Sequence, residues 1–240
     1  MRNHLKNSDI AILYRTNSQS RSFEESLRKF NIPYKVYGGM SFYQRKEIKD
    51  FLAYLRVVIN PMDEEALKRI INFPRRGIGN SSIEKITQHA VETDKSMYLC
   101  LAEADLPAGA KKNVHKFLNM MSIFAEKASQ LNAYETASYV AKQSGILALL
   151  KSDTTIEGMN RLENLNALMD GIKDFVEGQQ ELADSTGSIA EFLEDVALAT
   201  DLDNEEGEDS DKVALMTIHL AKGLEFPYVY IVGLEEDLFP

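Results

Sequence analysis

Val213-Ala214-Leu215-Met216-Thr217-Ile218-His219-Leu220-Ala221-Lys222-Gly223-Leu224-Glu225-Phe226-Pro227 is the stretch that decides how this chain folds. Its first six residues form a short run rich in Val, Ile and Met, the pattern of a strand covered on both faces. A turn with Lys222 and Gly223 follows, and residues 228–232 (Tyr-Val-Tyr-Ile-Val) repeat the pattern. Both runs are expected to be buried strands. Strands this short need neighbours, and parallel ones need helices over both faces.

Those neighbours must lie far away in sequence. Just upstream, seven of the eleven residues in 201–211 are acidic, too self-repelling to bury, so this segment is expected to be a flexible linker. Residues 63–200 carry helical periodicity almost throughout, clearest where Val114, Phe117, Leu118, Met121, Phe124, Ala128 and Leu131 form one stripe. The front of the chain supplies the missing strands. Residues 9–15 form an apolar run, Phe23, Leu27 and Phe30 share a helical face, and residues 34–37 lead into the Gly38-Gly39 turn. An amphipathic helix then carries Ile48, Phe51, Leu52, Leu55, Val58 and Ile59. The expected fold is an α/β domain with a large all-α insertion: a parallel sheet from residues 1–60 and 212–240, interrupted by a helical domain over residues 61–200.

The net charge is −10, but it is unevenly spread. Residues 1–60 hold 11 Lys/Arg against 5 Asp/Glu, whereas residues 151–240 hold 5 against 22. The acidic total therefore does not exclude a polyanionic partner for the basic front. No apolar stretch reaches the about 18 residues of a membrane span, and the N-terminus lacks a secretory apolar region. A cytoplasmic protein with no membrane partner is expected. Cys100, the only cysteine, sits between Leu99 and Leu101 and reads as a buried thiol. His4, His89 and His115 have no partners at metal-ligand spacing, so no metal site is expected. Asp63 reads as a helix N-cap with Glu64 and Glu65 in the first turn, where carboxylates are favoured, and not as a metal-holding acidic pair.

Two segments carry candidate chemistry. In the first, a strand delivers Thr217 and His219 to a turn where Lys222 and Gly223 offer a cation and an unobstructed backbone to a phosphate. Glu225 then offers an acceptor for a hydroxyl. These residue types also suit an ordinary solvated loop. In the second, Phe73-Pro74-Arg75-Arg76-Gly77-Ile78-Gly79-Asn80-Ser81-Ser82 puts two guanidiniums beside a Gly-Ile-Gly turn that opens a helix. That arrangement suits an anion, and a plain helix connector fits it as well.

The block 217–227 with the following strand and Gly233-Leu234-Glu235-Glu236-Asp237-Leu238-Phe239-Pro240 closely resembles motif V of the UvrD/PcrA/Rep-like superfamily 1 ATP-dependent DNA helicases. Asp237 stands where many relatives carry glycine. Ala11-Ile12-Leu13-Tyr14-Arg15-Thr16-Asn17-Ser18-Gln19-Ser20-Arg21 is similar to motif IV, and residues 37–50 resemble the block after it. Three blocks in the family's order span the whole chain. The resemblance implies that the sheet is part of a RecA-like (P-loop NTPase-like) domain, 2A, and the insertion the helical domain 2B. Arg15 would be the motif IV arginine at the γ-phosphate, a role suited to a planar, permanently charged group. Glu225 would lie near the nucleotide sugar with Gly223 adjoining. Thr217, His219 and Lys222 would hold single-stranded DNA. Arg75, Arg76, Gly77, Ile78, Gly79 and Ser81 would hold the backbone of duplex DNA.

Nothing in the chain fits Gly-x-x-x-x-Gly-Lys-[Ser/Thr], the loop that cradles nucleotide phosphates. The family places that loop and the Mg²⁺-binding acids in another domain. The resemblance therefore implies a fragment of a 3′–5′ helicase that contributes half of an ATP site, with ATP and Mg²⁺ bound only alongside the missing domains of the parent chain. Two other readings remain open, the helicase subunit of a recombination helicase–nuclease complex and a non-catalytic protein-docking module.

Overall fold

The computed structural model describes residues 5–179, 186–204 and 211–234. They divide into two compact units, one of residues 1–48, 163–171 and 195–240, the other of residues 49–162 and 172–194.

The first unit is built on four parallel strands, β1 (Ile10–Tyr14), β2 (Tyr34–Val36), β3 (Val213–Thr217) and β4 (Tyr228–Ile231), in the order β2-β3-β1-β4. The front and back of the sequence thus meet in the sheet centre, where Tyr14 is in register with Thr217. Their continuous apolar runs are explained by burial: Ala11, Leu13, Ala214 and Met216 pack together under Ile218, Ala221 and Phe226. β4 departs from expectation. It pairs with β1, yet Tyr228, Val229, Tyr230 and Ile231 are all exposed, at 43%, 47%, 56% and 49%. It is an edge of the sheet, as β2 is on the other side, and apolar composition does not say which strands will be edges.

Helix α1 (Ser20–Lys29) also corrects its sequence reading, because its buried residues are Ser20, Arg21 and Glu24, while Phe30 is 71% exposed. Its polar face is turned inward to meet Arg45, a partner that helical periodicity cannot show. Helix α2 (Lys46–Ile59) is apolar on more than the one stripe: Ala53, Tyr54 and Val57 are buried together with Phe51, Leu52, Leu55 and Val58.

The second unit is helical. It holds α3 (Glu64–Ile70), α4 (Asn80–Thr93), α5 (Met97–Glu103), α6 (Ala108–Ala128), α7 (Ala133–Gln143) and α8 (Ile146–Ser152), with most of α2 and parts of α9 (Ile156–Gln179) and α10 (Ile189–Asn204). Asp63 caps α3, its side chain accepting from the Ala66 amide at 3.0 Å. The α6 stripe buries Val114, Phe117, Met121 and Phe124. The helix α10 runs through Asn204, so the first four residues of the acidic segment are helical. Its residues 205–210, like His4 and residues 235–240 of the motif V block, lie outside the described residues. No helix of the described residues is long and apolar enough to cross a membrane.

Candidate nucleotide and nucleic-acid site

In parallel sheets ligands gather at the carboxyl ends of the strands. Here the ends of β1 and β3 lie side by side, and the Ile218 amide donates to the Tyr14 carbonyl at 3.0 Å. β1 therefore delivers Arg15 and β3 delivers Thr217 and His219 to one edge. The Arg15 guanidinium reaches His219, with Nη1 3.2 Å from Nδ1 and 3.3 Å from Nε2. The sequence separates these two residues by 204 positions, and no spacing rule could have paired them.

The backbone that carries them is fixed from both sides. Gln19 Oε1 accepts from the amides of Arg15 at 3.0 Å and Thr16 at 3.1 Å, holding the chain as it leaves β1. Gly233, at φ +66°, lies so close to Gln19 that a Cβ would fall 2.1 Å from Nε2. On the β3 side the amides of Leu220 and Ala221 donate to the Thr217 carbonyl at 3.0 and 3.1 Å, and the Leu224 amide to Ala221 at 2.9 Å. Gly223 completes this turn at φ +89°, a conformation that favours glycine, with open space where a Cβ would point. Lys222, Gly223 and Glu225 are exposed, and neither charged group forms an ion pair among the described residues. The turn that follows His219 therefore presents an exposed backbone and an exposed ammonium.

Beneath the edge lies a buried polar network that the sequence did not reveal. Arg45 donates to Ser20 Oγ at 2.7 Å and to Asn164 Oδ1 at 2.8 Å, and Ser20 donates to Glu24 at 2.6 Å. Glu24 also accepts from the Phe42 amide at 3.0 Å. Burial pulls the Arg45 guanidinium below its ordinary pKa, and the Glu24 carboxylate opposes that shift. Arg45 stands in the third motif block, but nothing in the sequence singled it out or showed its partners. Glu24 and Asn164 gave no signal.

Tyr14, the last residue of β1, is fully buried, and its hydroxyl has no hydrogen-bond partner among the described residues. Burial, with Glu24 second, pushes its pKa up to about 12, so it stays protonated at physiological pH. A buried polar group without a partner destabilises by about 1–3 kcal/mol. Tyr14→Phe is accordingly expected to leave the fold intact and raise stability by about 1 kcal/mol in denaturant titration; a destabilised variant would show that the hydroxyl is satisfied.

The second candidate segment lies in the helical unit, where Arg75 and Arg76 have different surroundings. The Arg76 guanidinium donates to the carbonyls of Ile70 at 3.0 Å, Pro74 at 3.0 Å and Ser144 at 2.8 Å and to the Tyr54 hydroxyl. It also lies 5.5 Å from the Tyr54 ring centre and 5.7 Å from that of Phe117. Both terminal nitrogens of Arg76 thus donate to acceptors within the helical unit. Ile78 is fully buried. Asn72 shapes the turn, its Oδ1 accepting from the amides of Arg76 at 2.8 Å and Ile78 at 3.2 Å. Gly77 stands at φ +73°, where a Cβ would meet Asn113 Nδ2 at 2.7 Å. Arg75, Gly77, Gly79 and Ser81 are exposed around the start of α4.

The sequence profile of the family described as UvrD-like helicase C-terminal domain matches residues 1–240. A protein of Staphylococcus aureus named ATP-dependent DNA helicase PcrA is 43% identical over 242 residues, covering 100% of this chain and 32% of its own length. One of Staphylococcus epidermidis with the same name is 45% identical over 238 residues, 98% of this chain and 32% of the relative. The chain thus spans about a third of the length of the curated relatives it matches.

Proposed function

Because the chain belongs to the UvrD-like helicase family, we propose that it serves within an ATP-driven helicase that moves 3′–5′ along single-stranded DNA and unwinds duplex DNA in the cytoplasm. The sheet unit is read as part of a RecA-like domain 2A, the helical unit as domain 2B. The observation that carries the reading is the Arg15–His219 contact at the shared edge of β1 and β3.

ATP hydrolysis transfers a phosphoryl group to water, and catalysis rests on positioning and on cations that meet spread-out negative charge. Arg15 supplies one such cation, aimed by the Gln19 clamp, and sits at the γ-phosphate. Glu225 accepts from the nucleotide sugar, with Gly223 leaving room beside it. Thr217, His219 and Lys222 hold single-stranded DNA. Since Arg15 and His219 touch, movement of either on binding its ligand is felt by the other, which links nucleotide state to DNA grip. The phosphate loop and the groups that hold Mg²⁺ come from elsewhere in the parent. At the helical unit, Arg75 and the open backbone of Gly77, Gly79 and Ser81 meet duplex phosphates.

Two assays test this. The purified 240-residue chain should hydrolyse no ATP above background, because it lacks the phosphate loop; DNA-stimulated turnover by it would overturn the half-site assignment. The parent enzyme with ATP should unwind a duplex bearing a 3′ single-stranded tail and spare one bearing only a 5′ tail. Equal unwinding of both, or of neither, would refute the reading.

A further inference from the structure

The helical unit brings together three side chains that spacing gave no reason to connect. His89 lies in the last turns of α4, while Cys100 and Glu103 lie three residues apart in α5 and so share a face. Asp94, in the left-handed conformation at φ 52°, ends α4, and Ser96 caps α5, accepting from the Leu99 amide at 3.5 Å. This short connection folds one helix back on the other. A nitrogen of His89, Sγ of Cys100 and a carboxylate oxygen of Glu103 all lie within 4.8 Å of one another. His89 Nε2 is 3.8 Å from Glu103 Oε2.

We propose that His89, Cys100 and Glu103 form a binding site for a thiophilic divalent cation, Zn²⁺ in the first place, outside the nucleotide and DNA site. Thiolate, imidazole and carboxylate are the donors zinc takes, at about 2.3, 2.0 and 2.1 Å, and tetrahedral bonds of those lengths set donors roughly 3.3–3.6 Å apart. Closing from within 4.8 Å is a change of rotamer, which the half-exposed Glu103 can make. The depth of the donors suits an ion entering from solvent. Cys100 is fully buried at the base, whereas the side chains of His89 and Glu103 are 31% and 45% exposed at the mouth, leaving a fourth position for water.

Two neighbours complete the chemistry. Thr93 Oγ1 lies 3.6 Å from Cys100 Sγ and donates to the His89 backbone carbonyl at 2.7 Å, so its hydroxyl links the thiol to the turn of α4 that carries His89. Lys95 Nζ lies 2.7 and 3.0 Å from the two Glu103 oxygens and holds that carboxyl below its ordinary pKa. The ammonium is the cation's competitor for Glu103. An exposed pair of this kind contributes little, so a divalent ion displaces it readily.

The test is a Co²⁺ titration of the full parent protein, metal-free at the start, followed by absorbance and then by back-titration with Zn²⁺. A thiolate-to-cobalt charge-transfer band with the visible bands of a tetrahedral ion is expected, abolished by Cys100→Ser and erased by one equivalent of Zn²⁺. His89→Ala and Glu103→Gln should each weaken binding by roughly tenfold or more. Lys95→Ala, which removes the competitor, should tighten it severalfold, an effect a purely structural lysine would not produce. His89 and Lys95 are not buried, so those variants keep the fold even where Cys100→Ser does not, and circular dichroism checks each. Absence of the band overturns the site. So does a band indifferent to His89→Ala and Lys95→Ala, which would assign the cobalt to a thiol alone.

Discussion

Replacing Arg15 with alanine in the parent enzyme is expected to lower ATP turnover on the order of a thousandfold while leaving nucleotide affinity within a few fold. The asymmetry follows from when the guanidinium acts. An interaction that strengthens as negative charge moves during phosphoryl transfer acts on kcat, whereas one made equally before and during the step acts on binding. The position suits that role, because the amides of Arg15 and Thr16 are held by Gln19 at 3.0 and 3.1 Å, so the side chain leaves a fixed backbone. Arg15→Lys should rescue little, since an ammonium cannot reproduce the planar fork. Steady-state ATPase kinetics with saturating single-stranded DNA, beside equilibrium binding of a fluorescent nucleotide, make the measurement. An unchanged kcat would remove Arg15 from the reaction, and a loss confined to nucleotide affinity would make it a binding residue only.

The two adjacent arginines of the helical unit are expected to part company. Arg76→Ala should destabilise that unit by about 3 kcal/mol, because it removes four guanidinium bonds and takes from the Pro74 and Ser144 carbonyls the donor they now have. For a unit of this size that lowers the Tm by roughly 10 °C. Arg76→Lys should recover only a small part, as one ammonium cannot reach acceptors contributed by Ile70, Pro74 and Ser144 together. Arg75 is exposed and should behave in the opposite way. Its replacement by alanine should leave the Tm unchanged and flatten the slope of log affinity against log salt by about one for a tailed duplex, equally for different sequences. Thermal denaturation and salt-titrated fluorescence anisotropy on the parent separate the two. A stable Arg76→Ala variant with a flattened slope would return Arg76 to the DNA; a slope indifferent to Arg75→Ala would make the turn a helix connector.

How much of this was legible beforehand depends on the range of the interaction. Local patterns sufficed for β1, β2 and β3, for the N-cap at Asp63, for the α6 stripe and for the long helical run between the strands, because each is set by residues a few positions apart. The motif blocks were equally local and singled out Arg15, Thr217, His219 and Glu225 as candidates. Local signals failed where a residue's partner was distant. Periodicity marked Phe23, Leu27 and Phe30 as the apolar face of α1, but the buried side chains include Ser20 and Glu24, which Arg45 meets from outside the helix. Residues 228–231 looked like a core strand, yet burial of a strand depends on what flanks it, not on its own composition.

The sequence by itself thus determined which elements form, in what order, and to which family the chain belongs, since propensity, periodicity and motif are properties of short segments. Only the tertiary structure decided which side chains remain free to act. Arg75 and Arg76 are chemically identical and adjacent, and nothing in the sequence separates them. The fold does so by directing one guanidinium toward solvent and surrounding the other with carbonyls from Ile70, Pro74 and Ser144, because a buried carbonyl needs a donor and the nearest chain that can supply one is set by packing. In the same way it set Arg15 against His219 across 204 residues, because two parallel strands in register bring their ends together whatever the length of chain between them.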